Sequence, residues 1–541
     1  MWLKLRDSKV RISDVFCLKN ITIQRGKREM NKEVSVGLVV PQMVDKYLKK
    51  QYRSRENLGL QYIASSLEKN NIPYYLLNAY AFNLSHEEAV VKLLEYNPTI
   101  IGISCMSQRS YVDVREFIYT LVKNFEYNGI IILGGFFPSI AYKEIFDDIP
   151  FIDFILIGEG ESSLPSIVEC LKSNKDFYNV PGLVRRVNKC EVKVNPPVCE
   201  NELDNLAFPQ RDLSLFHGLN PDNIEFKLIG GRGCFGRCSF CTIISGKDVR
   251  KKVYRSPDNL VEEIKEIIDK YNVNHFGFND AMFYDRGKFG KEWVRRFTHL
   301  IEKNDLNIHF RMDMRAADVT KEEMLALKKA GLYSVTVGYE TGVQRILDEM
   351  KKDATVNDNV QAANILRELQ LKSVICFIAI VPTMTIEELW ENYKFLKLIG
   401  GFTLDNLTNK LNVYYGCEYE KILADKNLLI ERNKFYERHN YKYIDPKVEM
   451  FTLFIEDMKA EIVLLRKKLL KYNSDINDYS LIKKRAELFD QVIDCFFSEM
   501  LFDILSKIIS SDLSKSQAKQ TLNSTVYNVN QKLDKVIFNE Q

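Results

Sequence analysis

The sequence of 541 residues contains no run of 18 or more apolar residues, which is the length that a membrane-spanning helix requires. Its start, MWLKLRDSKVRISD, lacks the apolar core and the small-residue cleavage site of a secretory signal. A long basic block is also missing, since 76 Lys and Arg nearly balance 73 Asp and Glu. These absences argue against a membrane protein, a secreted protein and nucleic acid as the main partner. We expect a cytoplasmic protein with reduced thiols that acts on a small molecule or a peptide.

Cysteine is scattered along the chain except at one place. Of the 11 cysteines, three lie within eight positions in the segment GRGCFGRCSFC, as Cys234, Cys238 and Cys241. The chance expectation for one such C-x3-C-x2-C pattern is about 0.005, so this spacing needs a chemical reason.

Three neighbouring thiols admit more than one interpretation. Structural zinc normally takes four ligands, and Cys199 and His217 are candidates for the fourth, but no second C-x2-C pair or C-x2-C…H-x3-H arrangement accompanies them. A redox pair with a spare cysteine explains less of the pattern. A cluster of four irons held by three cysteines leaves one iron open to a ligand, and Gly233 and Gly236 allow a short loop to wrap it. Three is then the expected number of thiols.

From Val34 onward the sequence alternates short apolar runs with amphipathic segments such as 57–69 and 112–123. The apolar runs are VSVGLVV, PYYLL, IIGISC, GIIILGG and DFILIG. Strands of a parallel sheet covered on both faces have this composition. We therefore predict that residues 34–180 form an α/β domain with a flavodoxin-like, doubly wound sheet. An unassigned segment, 1–33, precedes this domain.

The middle of the chain predicts a second α/β domain. Residues 181–225 are rich in Pro and Asn and lack helical periodicity, so we expect a linker there. A new alternating series follows over 226–420, with the strand candidates FKLIGG, HFGFND, IHFRMD, YSVTVGYE, SVICFIAIV and NKLNVYY. Six βα units predict an incomplete (β/α)6 barrel, whose chemistry gathers at the C-terminal ends of the strands.

The end of the chain predicts helices. Beyond Gly416 there is no glycine and only one proline, Pro446, while apolar residues recur at helical spacing. We expect residues 421–541 to form a helical appendage that covers the barrel mouth and contributes to substrate selection, with dimerisation as the rival role.

The segment CFGRCSFC, which opens the second series, resembles the radical S-adenosylmethionine (SAM) superfamily. The resemblance implies that Cys234, Cys238 and Cys241 ligate a [4Fe-4S] cluster whose open iron binds SAM. It also implies an electron donor such as flavodoxin or ferredoxin, cleavage of SAM, and a 5′-deoxyadenosyl radical that abstracts hydrogen from the substrate. Phe240, directly before the third cysteine, matches the family habit.

Four further segments resemble the family's cofactor positions. FNDAMFYD implies that Asn279 and Asp280 lie near the SAM amino group, although a helix N-cap explains Asp280 equally well. MDMRA and GYETG imply that Arg315, Glu340 and Thr341 approach the SAM carboxylate or ribose. A buried ion pair between barrel residues explains Arg315 and Glu340 equally well. CFIAIVPTMTIEE resembles the fifth-strand motif, which ends in Pro and Thr before an acidic helix.

The first domain resembles the cobalamin-binding domain that precedes many radical SAM enzymes. The match runs through ENLGLQYIASSLEKNNI, NPTIIGISC, LGGFFPS and FILIGEGE, then VPGLV and FPQRDL in the linker. The resemblance implies cobalamin at the C-terminal edge of the sheet. The residues implied to approach it are Ser104, Gly134, Gly135, Gly158, Glu159 and Gly160. A tight turn explains each glycine singly just as well.

One motif of some cobalamin proteins is absent, namely D-x-H-x-x-G, whose histidine replaces the lower ligand of the cobalt. His86 is the only histidine between residues 34 and 180. The segment SHEE predicts a capping box between Ser85 and Glu88, which places His86 in the first turn of a helix. We expect cobalamin to bind without a protein histidine.

Together the two resemblances imply a cobalamin-dependent radical SAM methyltransferase that acts on an unactivated carbon through a 5′-deoxyadenosyl radical and methylcobalamin. Radical cyclisation or rearrangement without net methyl transfer is the alternative within the same fold. A cobalamin-sensing protein is the non-enzymatic alternative. A methylthiotransferase would carry another cluster in its first domain, where only Cys105 and Cys170 are available.

Cys417 follows the sixth strand candidate in YYGCEYE, where relatives commonly carry Pro-Gly-Thr. Barrel geometry places this position at the catalytic face. The thiol is then either a hydrogen-atom donor or substrate contact, or simply a small apolar residue that fills the strand end.

Overall fold

The computed structural model describes residues 34–43, 56–188, 191–216, 224–242, 252–473, 479–510 and 515–538. The unassigned segment 1–33 and His217 lie outside these residues. The described chain divides into two compact units. The first holds the described residues of Met1–Arg232, Lys252–Gly277 and Asn433–Glu437, and the second those of Gly233–Lys251, Phe278–Arg432 and Arg438–Gln541.

The first unit is built on a seven-stranded sheet with the order β2-β1-β3-β4-β5-β6-β7. Its strands are β1 Val36–Val40, β2 Tyr74–Asn78, β3 Ile100–Ser104, β4 Ile130–Gly134, β5 Phe154–Leu156, β6 Leu183–Arg186 and β7 Val192–Val194. β1 to β5 are parallel, and they coincide with the five predicted strands. β1 and β3 are buried over their whole length, as a sheet covered on both faces requires.

Six helices connect these strands: α1 Leu58–Lys69, α2 Ala79–Phe82, α3 His86–Glu95, α4 Tyr111–Tyr119, α5 Phe136–Asp148 and α6 Ser163–Lys172. Local polar residues set their starts. Asn57 caps α1 by accepting from the Leu60 amide. Ser85 and Glu88 form the predicted capping box of α3, so His86 does occupy the first turn.

The predicted linker is partly strand. β6 and β7, within residues 181–225, add antiparallel strands to the edge of the first sheet. The prediction missed them because both are short and lie at a sheet edge, where alternation is weak.

A short segment from late in the chain also belongs to the first unit. Phe435 and Tyr436 pack their rings on Tyr111, with centroids 5.3 Å away in each case. Gln108 Nε2 donates to the Glu437 carbonyl at 2.8 Å. The prediction assigned this segment to the helical appendage, whereas it is not helical in the structure.

The predicted barrel contains a five-stranded sheet with the order β14-β13-β12-β11-β8. Its strands are β8 Glu225–Leu228, β11 His275–Phe278, β12 His309–Arg315, β13 Leu332–Glu340 and β14 Lys372–Phe377, while β9 Gly231–Arg232 pairs with β10 Val253–Tyr254. The predicted sixth strand is wrong in extent. It is reduced to one parallel bridge between Ile380 and Lys410, because Pro382 directly limits further pairing.

The helices of this region are α7 Pro257–Tyr271, α8 Lys288–Lys303, α9 Lys321–Lys329, α10 Gln344–Glu349, α11 Val356–Glu368, α12 Ile386–Ile399, α13 Leu404–Thr408 and α14 Glu418–Asp425. α12 begins at the predicted place, with a capping box between Thr385 and Glu388. An aromatic cluster that includes Phe278, Phe283 and Phe310 forms part of the core of the second unit.

The appendage is helical, as predicted, with α15 Pro446–Tyr472, α16 Tyr479–Ile509 and α17 Lys515–Leu533. A small hairpin, β15 Leu429–Ile430 with β16 Asn440–Tyr441, precedes them. The ring of Phe502 in α16 packs against Trp390 of α12 with centroids 4.5 Å apart, which attaches the appendage to the second unit. In the described part of the chain, no helix combines the length and the apolarity needed to cross a bilayer.

Candidate cofactor sites

The three clustered cysteines lie on a tight loop at the start of the second unit. The amide of Gly236 donates to Cys234 Sγ at 3.3 Å, and the amide of Cys241 donates to the Cys238 carbonyl at 3.0 Å. A Cβ atom on Gly236 would lie 3.3 Å from Cys234 Sγ and 3.7 Å from Cys238 Sγ. A glycine at this position therefore leaves the space beside two of the sulfurs free.

The spacing of the sulfurs tests which metal group they fit. The three Sγ atoms are not all within 4.8 Å of one another. A single tetrahedral zinc ion, with Zn–S of about 2.3 Å, would draw its sulfurs to about 3.8 Å apart. Among the described residues, Cys199 does not complete such a group either. The wider arrangement suits a multi-iron cluster, whose sulfurs bind different irons.

Backbone hydrogen bonds fix this cysteine loop. The amide of Ser239 donates to the Met350 carbonyl at 2.9 Å, and its hydroxyl donates to the Glu349 carbonyl at 3.1 Å. The Ser239 carbonyl in turn accepts from the Tyr419 amide at 2.8 Å. The loop is thus held by the end of α10 on one side and by the start of α14 on the other.

A buried charged group lies at the ends of β12 and β13. Lys352 Nζ lies 2.6 Å from Glu340 Oε1, and Arg315 Nη2 donates to the Lys352 carbonyl at 2.8 Å. The alternative of ion pairs between barrel residues therefore fits the structure, since Glu340 pairs with Lys352 and Arg315 Nε lies 3.7 Å from Asp318 Oδ2. A Cβ on Gly338 would lie 2.6 Å from Glu340 Oε1 and 2.9 Å from Lys352 Nζ, so this glycine makes room for the ion pair.

The charges of Lys352 and Arg315 also act on the cysteine loop. Burial raises the pKa of the Cys238 thiol, and the positive charges of Lys352 and Arg315 oppose that rise. Burial also works against the charge of Lys352, but Glu340 and Cys238 raise its pKa above the ordinary lysine value. Lys352 is consequently an ammonium at neutral pH.

The other predicted barrel residues differ in how far their side chains are exposed. Asn279 and Asp280 directly follow β11, Asn279 exposed and Asp280 buried. Asp280 is not an N-cap, since α8 starts at Lys288 with Gly287 as its cap. Thr341 is completely buried, and its hydroxyl donates to Asn392 Oδ1 at 2.7 Å. The Thr341 side chain is therefore not accessible for the predicted contact with SAM.

Phe240 is half-buried beside the third cysteine. Cys417 is 1% exposed and stands at the N-cap position of α14, and burial raises the pKa of its thiol.

Cys376 is a residue that sequence reasoning missed. Gly338 pairs in register with Arg315 on one side and with Cys376 on the other, so the three share a face of the sheet. Burial raises the pKa of the Cys376 thiol to about 11. The alternation of this strand, which puts Cys376 on the same face as Lys372 and Val374, was the available signal.

The first unit offers a different kind of edge, at the ends of β3 and β4. Gly135 has φ of 117°, and a side chain there would collide with the Cys105 carbonyl. A Cβ on Gly134 would meet only the Leu156 carbonyl oxygen, at 3.8 Å. Met106 and Phe136 follow these strands and are 45% and 48% exposed. Open space over bare backbone with apolar side chains beside it fits a flat macrocycle.

The other residues predicted at this edge already have partners in the fold. Ser104 Oγ accepts from Asn57 at 3.3 Å. Gly158 has φ of 82°, and a Cβ on Gly160 would lie 2.8 Å from Ile63, so both glycines serve the chain path. The structure therefore supports the turn interpretation for these two glycines.

Glu159 is held by two groups that sequence reasoning missed. Its Oε2 lies 3.1 Å from Arg232 Nη1 and accepts from the Glu200 amide at 2.8 Å. Arg232 also reaches Glu161 at 2.5 Å. The carboxylate thus anchors the strand that leads into the cysteine loop, which is a different role from the predicted contact with cobalamin.

Two family models match the chain. The model of the Radical SAM superfamily matches residues 228–396, and the model of the B12 binding domain matches residues 53–168. The first range includes all three clustered cysteines, and the second includes the glycine edge of the first unit.

Individual proteins match more of the chain. An uncharacterized methyltransferase of Pyrococcus horikoshii is 24% identical over 428 residues, which cover 77% of this chain and 87% of that protein. The anaerobic magnesium-protoporphyrin IX monomethyl ester cyclase of Cereibacter sphaeroides is 26% identical over 351 residues, which cover 62% of this chain and 55% of the cyclase. This chain thus spans just over half the length of that cyclase.

A solved structure shares the fold. The cobalamin-dependent S-adenosylmethionine radical enzyme OxsB, with aqua-cobalamin and S-adenosylmethionine bound, superposes with a TM-score of 0.72 at 19% identity. The match covers 93% of this chain and 80% of the OxsB chain.

Proposed function

The chain carries a B12-binding domain followed by a radical SAM domain, and from this premise we propose that it is a cobalamin-dependent radical SAM methyltransferase. Its proposed substrate is an unactivated carbon of a small molecule or a peptide. The observation that carries the proposal is the cysteine loop, whose sulfurs are spread too widely for one zinc ion and whose Ser239 is hydrogen-bonded to the turn before buried Lys352.

In the second unit, we assign Cys234, Cys238 and Cys241 as the ligands of a [4Fe-4S] cluster. When bound, the cluster would supply the electron that cleaves SAM, and cobalamin would carry the methyl group. Glu340 and Arg315, with Asn279 and Asp280 from the neighbouring strand end, are the side chains proposed to bind the charged amino-acid part of SAM. Phe240 packs beside the third ligand. Thr341 is left out because it is completely buried.

In the first unit, we assign the edge at Gly134 and Gly135 to the corrin. The apolar side chains of Met106 and Phe136 would lie against a macrocycle face and exclude water from it. Ser104 can donate its hydroxyl hydrogen, since its oxygen serves as the acceptor for Asn57. His86 lies in the first turn of α3, and the proposal has cobalamin bind without a protein histidine.

The proposal also includes the partners of the reaction. A low-potential one-electron donor such as flavodoxin or ferredoxin would reduce the cluster, and the reaction would take place in the cytoplasm. The balanced charge of 76 basic and 73 acidic residues supports a partner other than nucleic acid.

The test uses the anaerobically reconstituted, reduced full chain with SAM and cobalamin. We expect both 5′-deoxyadenosine and S-adenosylhomocysteine, the latter only when cobalamin is present, because the two products report radical formation and methyl transfer separately. The triple variant of Cys234, Cys238 and Cys241 to alanine is the control. No SAM cleavage by the reconstituted wild type would contradict the proposal and favour a cobalamin sensor.

Radical cyclisation without net methyl transfer is the second candidate, and the similarity to the Cereibacter sphaeroides cyclase favours it. It predicts 5′-deoxyadenosine without S-adenosylhomocysteine in the same experiment. One measurement therefore separates the two functions.

A further inference from the structure

Lys352 lies where three parts of the proposed cluster site meet, and no sequence motif identified it. The residue is 5% exposed, and its Nζ is 2.6 Å from Glu340 Oε1. Glu340 is itself 8% exposed. Because both partners are shielded from water, the charges act on their neighbours with little screening.

Backbone hydrogen bonds around Lys352 connect Arg315 with the cysteine loop. Its carbonyl accepts from Arg315 Nη2 at 2.8 Å. Two and three residues earlier, the carbonyls of Met350 and Glu349 accept from Ser239, the residue that follows Cys238. The turn that carries Lys352 therefore holds Arg315 on one side and the cysteine loop on the other.

The side chain of Lys352 is fixed in this position by its contact with the Glu340 carboxylate. The space for the Lys352 side chain exists because position 338 is glycine, whose Cβ would lie 2.9 Å from Nζ.

We propose that Lys352 is a positioning residue whose charge makes the cluster at Cys238 easier to reduce. A fixed positive charge stabilises the state of a neighbouring redox centre that holds one more electron, and the effect is large where water is excluded. This inference rests on the proposed function, because it requires a cluster bound to Cys234, Cys238 and Cys241.

The experiment is a redox titration of the reconstituted full chain without SAM, followed by electron paramagnetic resonance. Dithionite supplies the one electron that each cluster takes up. In Lys352→Gln, which keeps a hydrogen-bond donor for Glu340 but removes the charge, we expect the ratio of reduced to oxidised cluster at a fixed potential to fall at least tenfold. That is a shift of about 59 mV for a one-electron couple.

Two controls accompany this variant. Lys352→Arg keeps the charge and should titrate within about twofold of the wild type. Lys351→Gln removes the adjacent lysine, whose side chain is 49% exposed and pairs with Glu418, and should leave the titration unchanged because solvent screens that charge.

A second comparison covers the case in which Lys352→Gln loses the cluster because Glu340 is left unpaired. Glu340→Gln and the double variant Lys352→Gln/Glu340→Gln contain no unpaired buried carboxylate. The double variant should show the same tenfold lower ratio relative to Glu340→Gln.

The outcomes are distinguishable. Equal titrations, or loss of the cluster in the double variant, would mean that Lys352 acts only through structure, and would overturn the inference. A wild-type chain that binds no iron after reconstitution would instead overturn the proposed function.

Discussion

The strand ends of the two units differ in what they present. In the second unit, β12 and β13 end in the charged residues Arg315 and Glu340, and buried Lys352 pairs with Glu340. In the first unit, β3 and β4 end in glycine and in the exposed apolar side chains of Met106 and Phe136.

The difference follows from the proposed ligands. A cluster and the charged end of SAM need fixed side-chain ligands and compensating charges. A large flat ring needs the backbone to come close and needs apolar cover. Two α/β sheets can thus serve unlike cofactors through the residues at their strand ends.

The largest expected effect comes from removing the side-chain ligands of the second unit. Alanine at Cys234, Cys238 or Cys241 should remove most of the iron and abolish 5′-deoxyadenosine formation, because thiolates are the ligands. Iron content and chromatography of the products measure this. A folded triple variant that keeps its iron and still cleaves SAM would contradict the assignment of these cysteines as cluster ligands.

The next effect concerns the bare backbone of the first unit, where two adjacent glycines should behave differently. Gly134→Val has room in the protein, since its Cβ would lie 3.8 Å from Leu156, so the chain should fold but bind cobalamin at least about tenfold more weakly, a loss of about 1.4 kcal/mol. Equal cobalamin affinity in a binding titration would mean that the ring lies elsewhere.

Substitution of the neighbouring glycine distinguishes a residue that the turn requires from one that makes room for the ligand. Gly135→Ala forces a side chain into a φ of 117° and against the Cys105 carbonyl, which should cost about 2 kcal/mol of stability. Thermal unfolding of the full chain should therefore move to lower temperature in this variant, whereas Gly134→Ala should not move it. Equal melting of the two variants would remove the distinction.

A smaller effect tests the aromatic segment that the first unit takes from late in the chain. Phe435→Ala removes a ring that packs on Tyr111 and Phe137, and should lower stability by about 1 kcal/mol. Tyr527→Ala, whose side chain is 64% exposed, is the control and should have no measurable effect on thermal unfolding. Identical curves for both variants would show that this packing does not stabilise the unit.

The smallest effect is expected at Cys417. Burial raises the pKa of this thiol, so it stays protonated at neutral pH, and it stands at a helix N-cap. Cys417→Ser and Cys417→Ala should therefore change product formation by no more than about twofold. Loss of product with continued SAM cleavage in both variants would instead assign the thiol to the radical step.

Most of the fold could be predicted from the sequence, for a reason that particular segments illustrate. The five parallel strands of the first unit, the capping box of Ser85 and Glu88 and the start of α12 all depend on residues a few positions apart. The failures are at weak or long-range pairings. β6 and β7 are short edge strands, and the sixth barrel strand pairs through the single bridge of Lys410 with Ile380, two residues before Pro382.

The residues of the candidate sites also divide into those set by local sequence and those set by long-range packing. The sequence by itself determined the three clustered cysteines and the glycines at the strand ends, because their spacing and their backbone freedom are local properties. Only the tertiary structure decided that Lys352 pairs with Glu340, that Glu159 is held by Arg232 and that Thr341 is buried. These outcomes depend on which distant segments pack together, and a buried charge takes whichever partner the fold brings within a few ångströms.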